Sequence, residues 1–253
     1  MTSQTTLPRV LVIMPAWNES GSVAETIAEV KLTNPGTDVL VVDDGSVDDT
    51  AVKAEAAGAL VCRLPFNLGV GGAMRAGYRY AMRHGYDVAV QIDADGQHDP
   101  RFLPVLLEGL GDADVVIGAR FAREGDKYHA SFPRRTAMRV LAFVLSRMAG
   151  TRLTDVTSGF RLANRRALAV FAAHYPAEYL GDTVESLVIA MRSGIRVTQV
   201  PVDMRVRQAG QPSATPFKAA LYLARVVIAL TLALMRKRPP EMKQMLAEQG
   251  VAA

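Results

Sequence analysis

The sequence contains a single cysteine, Cys62, among its 253 residues. One thiol excludes an internal disulfide and a cluster of several cysteine thiolates around a metal. Aromatic residues make up only 6%, and no basic segment interleaved with aromatics is present, which argues against a nucleic-acid-binding module. Apolar residues account for 49% and charged residues for 21%, an ordinary balance for a packed globular chain. The length fits one large domain or a domain with an appendage.

Long uncharged apolar segments are also missing. Residues Met1 to Pro8 have neither a basic start nor an apolar stretch, so no export signal is expected. The nearest approach to a membrane-spanning segment, Ala219–Met235, is interrupted by Arg225 and falls short of the roughly 18–20 uncharged residues that a bilayer requires. We therefore expect a cytoplasmic protein without a spanning helix. A helix that lies on a membrane or packs against a partner remains open.

The formal net charge of +4 is distributed unevenly. Between residues 192 and 238, nine Lys or Arg residues occur with a single acid, Asp203. This segment suits an anionic partner such as a phosphate or a membrane surface, and a solvated basic face explains it equally well.

Short apolar runs alternate with helical patterns along the chain. Strands rich in Val and Ile, separated by helices, predict a mostly parallel α/β sheet with helices on both faces. Ligands of such sheets bind beyond the carboxyl ends of the strands. The predicted strands are Val10–Met14, Val39–Val42, Ala59–Leu64, Val88–Ile92, Val115–Gly118 and Val197–Val202. The predicted helices are Val23–Lys31, Asp49–Ala56, Ala73–Arg83, Phe102–Leu110, Ala137–Met148, Thr183–Arg192 and Phe217–Arg236.

The chain shows no repeat and no linker between these elements. Residues 1–214 are predicted to form one domain, and residues 215–253 a C-terminal helical extension. Its helix Phe217–Arg236 is apolar around most of its circumference, so we expect it to be buried in lipid or against another subunit. Thr151–Arg161 is expected to be irregular.

Two pairs of acids follow predicted strands. Asp43 and Asp44 are adjacent and repel each other, so a hydroxyl, a backbone amide or a cation should compensate them. They either grip the donor groups of a base or ribose, or form an Asx turn with a helix cap. The glycines of Gly69–Gly72 lack the spacing of a phosphate-binding loop and indicate a close approach of helix and sheet instead.

The second pair, Asp93 and Asp95, gives a sharper signal. Alternate residues of an extended chain point to opposite sides, so both carboxylates reach one cation only if the strand breaks there, and Gly96 supplies the break. Hard oxygen ligands favour Mg²⁺ or Mn²⁺, which hold a diphosphate well. A purely structural turn is the alternative. His98 is equally compatible with a metal or acid–base role and with a local hydrogen bond.

Taken in order, three motifs resemble the family 2 glycosyltransferases of the GT-A fold: Pro15–Glu19, Val42–Ser46 and Asp93–Pro100. A fourth, Thr154–Arg161, is similar to the branch of dolichol-phosphate mannose synthases and bacterial polyprenyl-phosphate glucosyltransferases. The resemblance runs from about Val10 to Ser213. It implies a Rossmann-like GT-A domain that moves a hexose, with inversion, from a UDP- or GDP-sugar to an acceptor.

The resemblance also implies roles for individual residues. Those that would hold the nucleotide are Pro15, Ala16, Trp17, Glu19, Asp43, Asp44, Asp93 and Ala94. Those that would surround a Mg²⁺ or Mn²⁺ ion and the diphosphate are Asp93, Asp95 and Gln97. Arg120 and Arg139 would neutralise phosphate charge, and Asp155 would face the reacting sugar or the acceptor. Those that would bind an acceptor phosphate are Arg161, Arg205 and Arg207. Trp17 replaces the more usual Tyr or Phe, which leaves the base open between uracil and guanine.

The expected acceptor is a polyprenyl phosphate taken at the inner face of the cell membrane. A hydroxyl acceptor would need a base, for which Asp155, Asp182 and Glu185 are the candidates, whereas a phosphate acceptor would not. The competing interpretation is a soluble sugar acceptor, with the final helix forming a homo-oligomer. A haloacid-dehalogenase-like phosphatase fits less well because Gln97 stands where that motif has Thr. A sugar nucleotidyltransferase would need a glycine-rich basic loop after the first strand. A non-catalytic protein that binds nucleotide-sugars is a further alternative.

Overall fold

Seven strands form one sheet in a computed structural model that describes residues 8–120, 132–177 and 182–205. The strand order is β3-β2-β1-β4-β6-β5-β7. Neighbouring strands are parallel except at β6, which runs antiparallel to both β4 and β5. The strands are β1 (Val10–Ala16), β2 (Asp38–Asp43), β3 (Leu60–Arg63), β4 (Val88–Gln91), β5 (Val115–Ala119), β6 (Arg161–Asn164) and β7 (Val197–Pro201).

Helices connect these strands. They are α1 (Val23–Thr33), α2 (Thr50–Ala56), α3 (Gly69–Arg83), α4 (Leu103–Glu108), α5 (Phe132–Ala149), α6 (Arg165–His174) and α7 (Asp182–Arg192). A 3-10 turn, Pro100–Phe102, precedes α4. The predicted mostly parallel sheet with helices is thereby confirmed. Arg207, the helix predicted at Phe217–Arg236 and the domain boundary at residues 214 and 215 lie outside the described residues.

Strand β6 and helix α6 were not predicted from the sequence. The strand is only four residues long and begins with the charged Arg161, so it lacks the apolar run that marks the other strands. The helix did carry a usable signal, because the Asn164 side chain accepts a hydrogen bond from the Ala167 N–H and so begins the helix. The apolar spacing that follows, at Leu168 and Phe171, is helical.

The sheet is covered on both faces, as its sequence pattern predicts. Along β1, Leu11 and Ile13 belong to one buried cluster, whereas Val12 and Met14 belong to the other. This alternation follows from the two-residue period of a strand. Helices α3, α6 and α7 contribute to the first cluster, and α1 and α4 contribute to the second. Two cores therefore fix the sheet, and the loops at its carboxyl edge are built on a rigid base.

Helix α3 packs unusually close to the sheet through its glycines. A Cβ atom at Gly77 would overlap the buried Ile13 side chain, and one at Gly71 would overlap the carbonyl oxygen of Pro176. The close approach of helix and sheet is therefore observed at Gly77, whereas Gly71 of the predicted Gly69–Gly72 segment packs against the chain that follows α6.

None of the helices among the described residues combines the length and the apolar character needed to span a bilayer.

We expect Gly77→Val to lower the free energy of unfolding by about 1–3 kcal/mol, because the added side chain must displace Ile13 from a filled core. Urea denaturation measures the change. Gly21→Ala is the matched control, since a Cβ atom there meets nothing within 4 Å. That variant should stay within about 0.5 kcal/mol of the parent. Equal stabilities for the two variants would contradict the close packing of α3 on β1.

Candidate active site

The loops after β1 and β2 are joined to each other at the carboxyl edge of the sheet. The N–H of Asn18 donates to the Ser46 hydroxyl at 2.9 Å, and the N–H of Val47 donates to the Asn18 side-chain oxygen at 3.0 Å. Asn18 adopts a left-handed backbone conformation, with φ of 55°, which asparagine tolerates better than most residues. Between these joined loops the side chain of Trp17 remains 55% exposed, available to a planar ligand.

The other predicted residues of the first motif are fixed by the sheet and by α1. Pro15 and Ala16 lie in register with Val42 and Asp43 of β2. The Glu19 carboxylate accepts a hydrogen bond from the Ser22 hydroxyl at 3.2 Å, just before α1 begins. The motif therefore forms one wall beside the end of β2.

Asp43 ends β2 with a buried carboxylate. Its Oδ1 accepts the Ser46 N–H at 3.0 Å, a bond across three residues that closes the turn after β2. Among the described residues, no partner engages its second oxygen, Oδ2. One oxygen of Asp43 can therefore hold the turn while the other contacts a ligand.

Asp44 instead has both carboxylate oxygens engaged by the start of α3. Its Oδ1 accepts the Leu68 N–H and its Oδ2 accepts the Gly69 N–H, each at 2.7 Å. Burial raises the pKa of Asp44 above its ordinary value, against the opposing effect of these two hydrogen bonds. The amide groups at the beginning of α3 are therefore committed to this carboxylate.

The loop after β4 carries the predicted metal ligands. The Gln91 side-chain amide donates to Asp93 Oδ1 at 2.8 Å, and Asp95 Oδ1 accepts the Gln97 N–H at 3.0 Å. Gly96, directly after Asp95, has a φ of 75°, a left-handed conformation that an extended strand does not contain. Asp95 is buried, whereas the Asp93 side chain is 35% exposed. The break that the sequence predicts at Gly96 is present.

The donor chemistry of this loop fits a hard divalent cation that is shared with a ligand. Within the described ranges, no group of three or more His, Cys, Asp or Glu is arranged to hold a metal alone. Mg²⁺ is commonly bound through one or two carboxylates together with substrate phosphates. Asp93 and Asp95, with the Gln97 amide, match that pattern better than a site made entirely of protein ligands.

His98 acts within the loop. Its Nδ1 accepts the Asp93 N–H at 3.0 Å, so the proton of the neutral ring is assigned to Nε2. The ring is buried and stacks on Phe160, with a centroid separation of 5.0 Å and an interplanar angle of 13°. Of the two roles considered for His98, the structure shows the local hydrogen bond.

Arg120 and Asp155 form a charge pair beside the end of β5. Arg120 Nε lies 2.6 Å from Asp155 Oδ2, and its Nη2 lies 2.9 Å from Oδ1. The Asp155 side chain is buried, whereas that of Arg120 is 35% exposed. Both residues were predicted from the sequence, but their pairing was not. Arg139, the other predicted phosphate-neutralising residue, lies on α5 with an exposed side chain.

Arg161 is buried, and its guanidinium is directed at backbone carbonyls. It donates to the carbonyl oxygens of Val156, Ser158 and Thr183, at 2.7, 2.8 and 2.6 Å. It thereby joins the loop before β6 to the start of α7. This geometry favours a supporting role over direct contact with an acceptor phosphate.

Asp182 lies at the start of α7, and its carboxyl group is largely buried. Burial raises the pKa of its carboxyl group, opposed by the Thr183 N–H and the charge of Arg161, while the charge of Asp93 adds to the rise. Both Asp155 oxygens, by contrast, already accept hydrogen bonds from Arg120.

Arg205 is also held by protein groups. Its guanidinium makes two hydrogen bonds to the Glu29 carboxylate, at 2.7 and 2.6 Å, and a contact of 2.9 Å to Asp99. Hydrogen bonding to Glu29 raises the pKa of Arg205. The predicted contact with an acceptor phosphate would compete with these two carboxylates.

Two residues that hold predicted site residues in place were not predicted from the sequence. Gln91 is a buried polar residue in the otherwise apolar strand β4, and this contrast was a usable signal. Glu29 lies 176 positions before Arg205 along the chain, and no local pattern relates the two.

Buried aspartates, an acidic loop suited to a divalent cation and an arginine–aspartate pair meet at the carboxyl edge of a mostly parallel sheet, which is where α/β proteins bind nucleotide ligands. The family model described as Glycosyl transferase family 2 matches residues 11–171, which is more than half of the chain. The chain belongs to this family and is a glycosyltransferase.

Named relatives fall in the branch that the fourth motif resembles. An undecaprenyl-phosphate mannosyltransferase of Micrococcus luteus is 35% identical over 209 residues, covering 80% of this chain and 86% of the relative. A polyprenol monophosphomannose synthase of Mycolicibacterium smegmatis is 31% identical, covering 80% and 79%.

A solved structure supports the fold assignment. The glucosyl-3-phosphoglycerate synthase of Mycobacterium tuberculosis, in complex with Mg²⁺ and uridine diphosphate, has a TM-score of 0.67 and 22% identity. The match covers 91% of this chain and 81% of the synthase. The predicted GT-A fold is thereby confirmed.

Because Asp44 satisfies two N–H groups at the start of α3, we expect Asp44→Ala to lower the free energy of unfolding by about 0.5–2 kcal/mol. Asp49→Ala provides the comparison, since Asp49 precedes α2 without a side-chain capping bond. Its effect should remain within about 0.5 kcal/mol. Chemical denaturation measures both variants, and an Asp44→Ala protein as stable as the parent would show that the capping bonds contribute nothing.

Proposed function

We propose that the chain transfers a hexose, with inversion, from a UDP- or GDP-sugar to a polyprenyl phosphate, and that a Mg²⁺ or Mn²⁺ ion is required. The observation that carries the proposal is the loop Asp93–Gln97. It presents two carboxylates and an amide at the carboxyl edge, beside the loops that follow β1 and β2.

The nucleotide would lie against the first two loops. Exposed Trp17 offers a face for the base, and Asp43 Oδ2 offers an acceptor for base or ribose donors. Pro15, Ala16, Glu19, Asp93 and Ala94 would complete this surface. Asp44 would contribute chiefly by fixing the start of α3, because both of its oxygens are engaged there.

The diphosphate would lie over the Asp93–Gln97 loop. The ion, when bound to Asp93, Asp95 and Gln97, supplies positive charge next to the leaving diphosphate. A solved structure of the M. tuberculosis synthase contains Mn²⁺ and UDP-glucose. Arg120 and Arg139 would add positive charge, and Asp155 would hold the Arg120 guanidinium in a fixed orientation.

The reaction is a single displacement at the anomeric carbon. The acceptor oxygen forms the new bond as the bond to the diphosphate oxygen breaks, and the electron pair leaves with the nucleoside diphosphate. Holding the two reactants in line removes an entropic barrier. A phosphate acceptor is already an anion, so no protein base is required. A hydroxyl acceptor would require one, and the raised pKa of Asp182 favours it for that task.

The acceptor assignment follows the names of the relatives, which include an undecaprenyl-phosphate mannosyltransferase and a polyprenol monophosphomannose synthase. The excess of basic residues between positions 192 and 238 supports an anionic acceptor at the inner membrane surface. The alternative is a soluble acceptor, with the final helix used for self-association.

We expect Asp95→Asn to keep the fold and to lower turnover by about two orders of magnitude, because a carboxylate that holds the cation is lost. Nucleotide binding in the presence of Mn²⁺ can be followed by the fluorescence of Trp17, the one tryptophan of the chain. Asp87→Asn is the control, since Asp87 accepts the Arg9 N–H before β4, at the other end of the sheet. Full activity of the parent enzyme in the presence of a chelator would refute the metal requirement.

For the acceptor, we expect the full chain to float with anionic vesicles and a chain that ends at Ala214 to remain unbound. Each basic residue near the surface contributes about 1 kcal/mol, so binding should weaken as salt is raised. Transfer to polyprenyl phosphate in these vesicles should exceed transfer to a soluble phosphorylated acceptor. If neither chain floats and the intact enzyme does not glycosylate the lipid, the soluble-acceptor alternative replaces this assignment.

A further inference from the structure

Three charged side chains far apart in the sequence meet beside the Asp93–Gln97 loop. Arg205 binds the Glu29 carboxylate with two hydrogen bonds and also lies 2.9 Å from Asp99 Oδ1. Asp99 is buried, whereas the side chains of Glu29 and Arg205 are about three-quarters covered, with exposures of 29% and 27%. We call Glu29, Asp99 and Arg205 the loop brace.

The backbone of the same segment is joined to the loop. The Arg205 N–H donates to the carbonyl oxygen of Gln97 at 3.0 Å. The residue before Arg205, Met204, forms an isolated antiparallel bridge with His98. Three successive residues therefore contact this segment: Gln97 and Asp99 contact Arg205, and His98 pairs with Met204.

Gln91 at the end of β4 and the segment after β7 both hold the loop in place. Asp93 is oriented by Gln91 and by the buried His98 ring. Gln97 depends on the segment after β7, with Arg205 tying that segment to α1 through Glu29. Groups that bind a metal must be held within about 0.5 Å of the productive geometry by packing and hydrogen bonds around them.

We infer that Arg205 is a positioning residue for the metal loop: it sets the place of Gln97 through the loop brace, instead of guiding an acceptor phosphate. This inference rests on the proposed metal requirement. Loss of a group that orients a metal ligand typically costs about 10–100-fold in metal affinity or activity. Removing the Arg205 guanidinium would also leave the Glu29 and Asp99 carboxylates near each other without their shared cation.

The test is Mn²⁺ affinity, measured by electron paramagnetic resonance of the free ion with saturating UDP or GDP. Arg205→Met should weaken Mn²⁺ binding about tenfold or more, and Glu29→Gln should weaken it in the same direction. Arg205→Lys keeps the charge but loses the two-pronged geometry, so its affinity should lie between those of the parent and Arg205→Met.

Arg101→Met is the matched control. Arg101 also pairs with Asp99, at 2.6 Å, but its side chain is 68% exposed and it lies outside the loop brace. Its Mn²⁺ affinity should stay within about twofold of the parent, a smaller change than the tenfold effect expected from loss of an orienting group. The apparent KM for Mn²⁺ should rise in Arg205→Met, and turnover should recover at high Mn²⁺, whereas a phosphate-guiding residue would raise the KM for the acceptor at every Mn²⁺ concentration.

The outcomes separate the two proposals. If the parent binds Mn²⁺ and Arg205→Met binds it equally well, the positioning role is wrong and the metal requirement stands. If the parent with nucleotide does not bind Mn²⁺, both are wrong. Should thermal unfolding show that Arg205→Met is not folded, Arg205→Lys and Glu29→Gln decide, and unchanged Mn²⁺ affinity in both overturns the inference.

Discussion

The carboxyl edge of the sheet depends on one buried cation, the Arg161 guanidinium. Its hydrogen bonds to three carbonyl oxygens hold the loop before β6 against the start of α7. A buried charge is costly unless it is compensated, and here the charge also opposes the burial-raised pKa of Asp182. The same loop carries Asp155, which holds the Arg120 guanidinium. Loss of the Arg161 guanidinium would therefore displace Arg120 as well.

Charge pairing explains why so many ionised groups coexist in a small region. Asp155 is buried and makes two hydrogen bonds to Arg120, whereas in the loop brace Arg205 makes two to the partly exposed Glu29 and one contact to the buried Asp99. Asp44 is satisfied differently, by two backbone N–H groups. Asp43 keeps one oxygen outside the hydrogen bond to Ser46, and the Asp93 side chain is the more exposed of the two, so under the proposed function a donor and its cation can add to the existing bonds.

The sequence was informative for candidate site residues that directly follow a strand. The positions of Asp43, Asp93 and Asp95 were predictable because parallel strands end at one edge and Gly96 must break the chain. The partners of Arg161 and Arg205 were not, since neither periodicity nor spacing relates Glu29 to a residue 176 positions later. Phosphate binding was predicted for Arg161 and Arg205 only because arginine is a residue type that commonly binds phosphate. Their hydrogen bonds to protein groups favour supporting roles, a distinction that only tertiary contacts provide.

The antiparallel strand β6 has a consequence for the order in which the sheet is assembled. Strands β1 to β4 pair among themselves, but β5 joins the sheet only through β6, which is synthesised more than forty residues after it. During synthesis at about 5–20 residues per second, β5 would wait several seconds for its neighbour. The four N-terminal strands can therefore pair with one another before β5 acquires its neighbour β6.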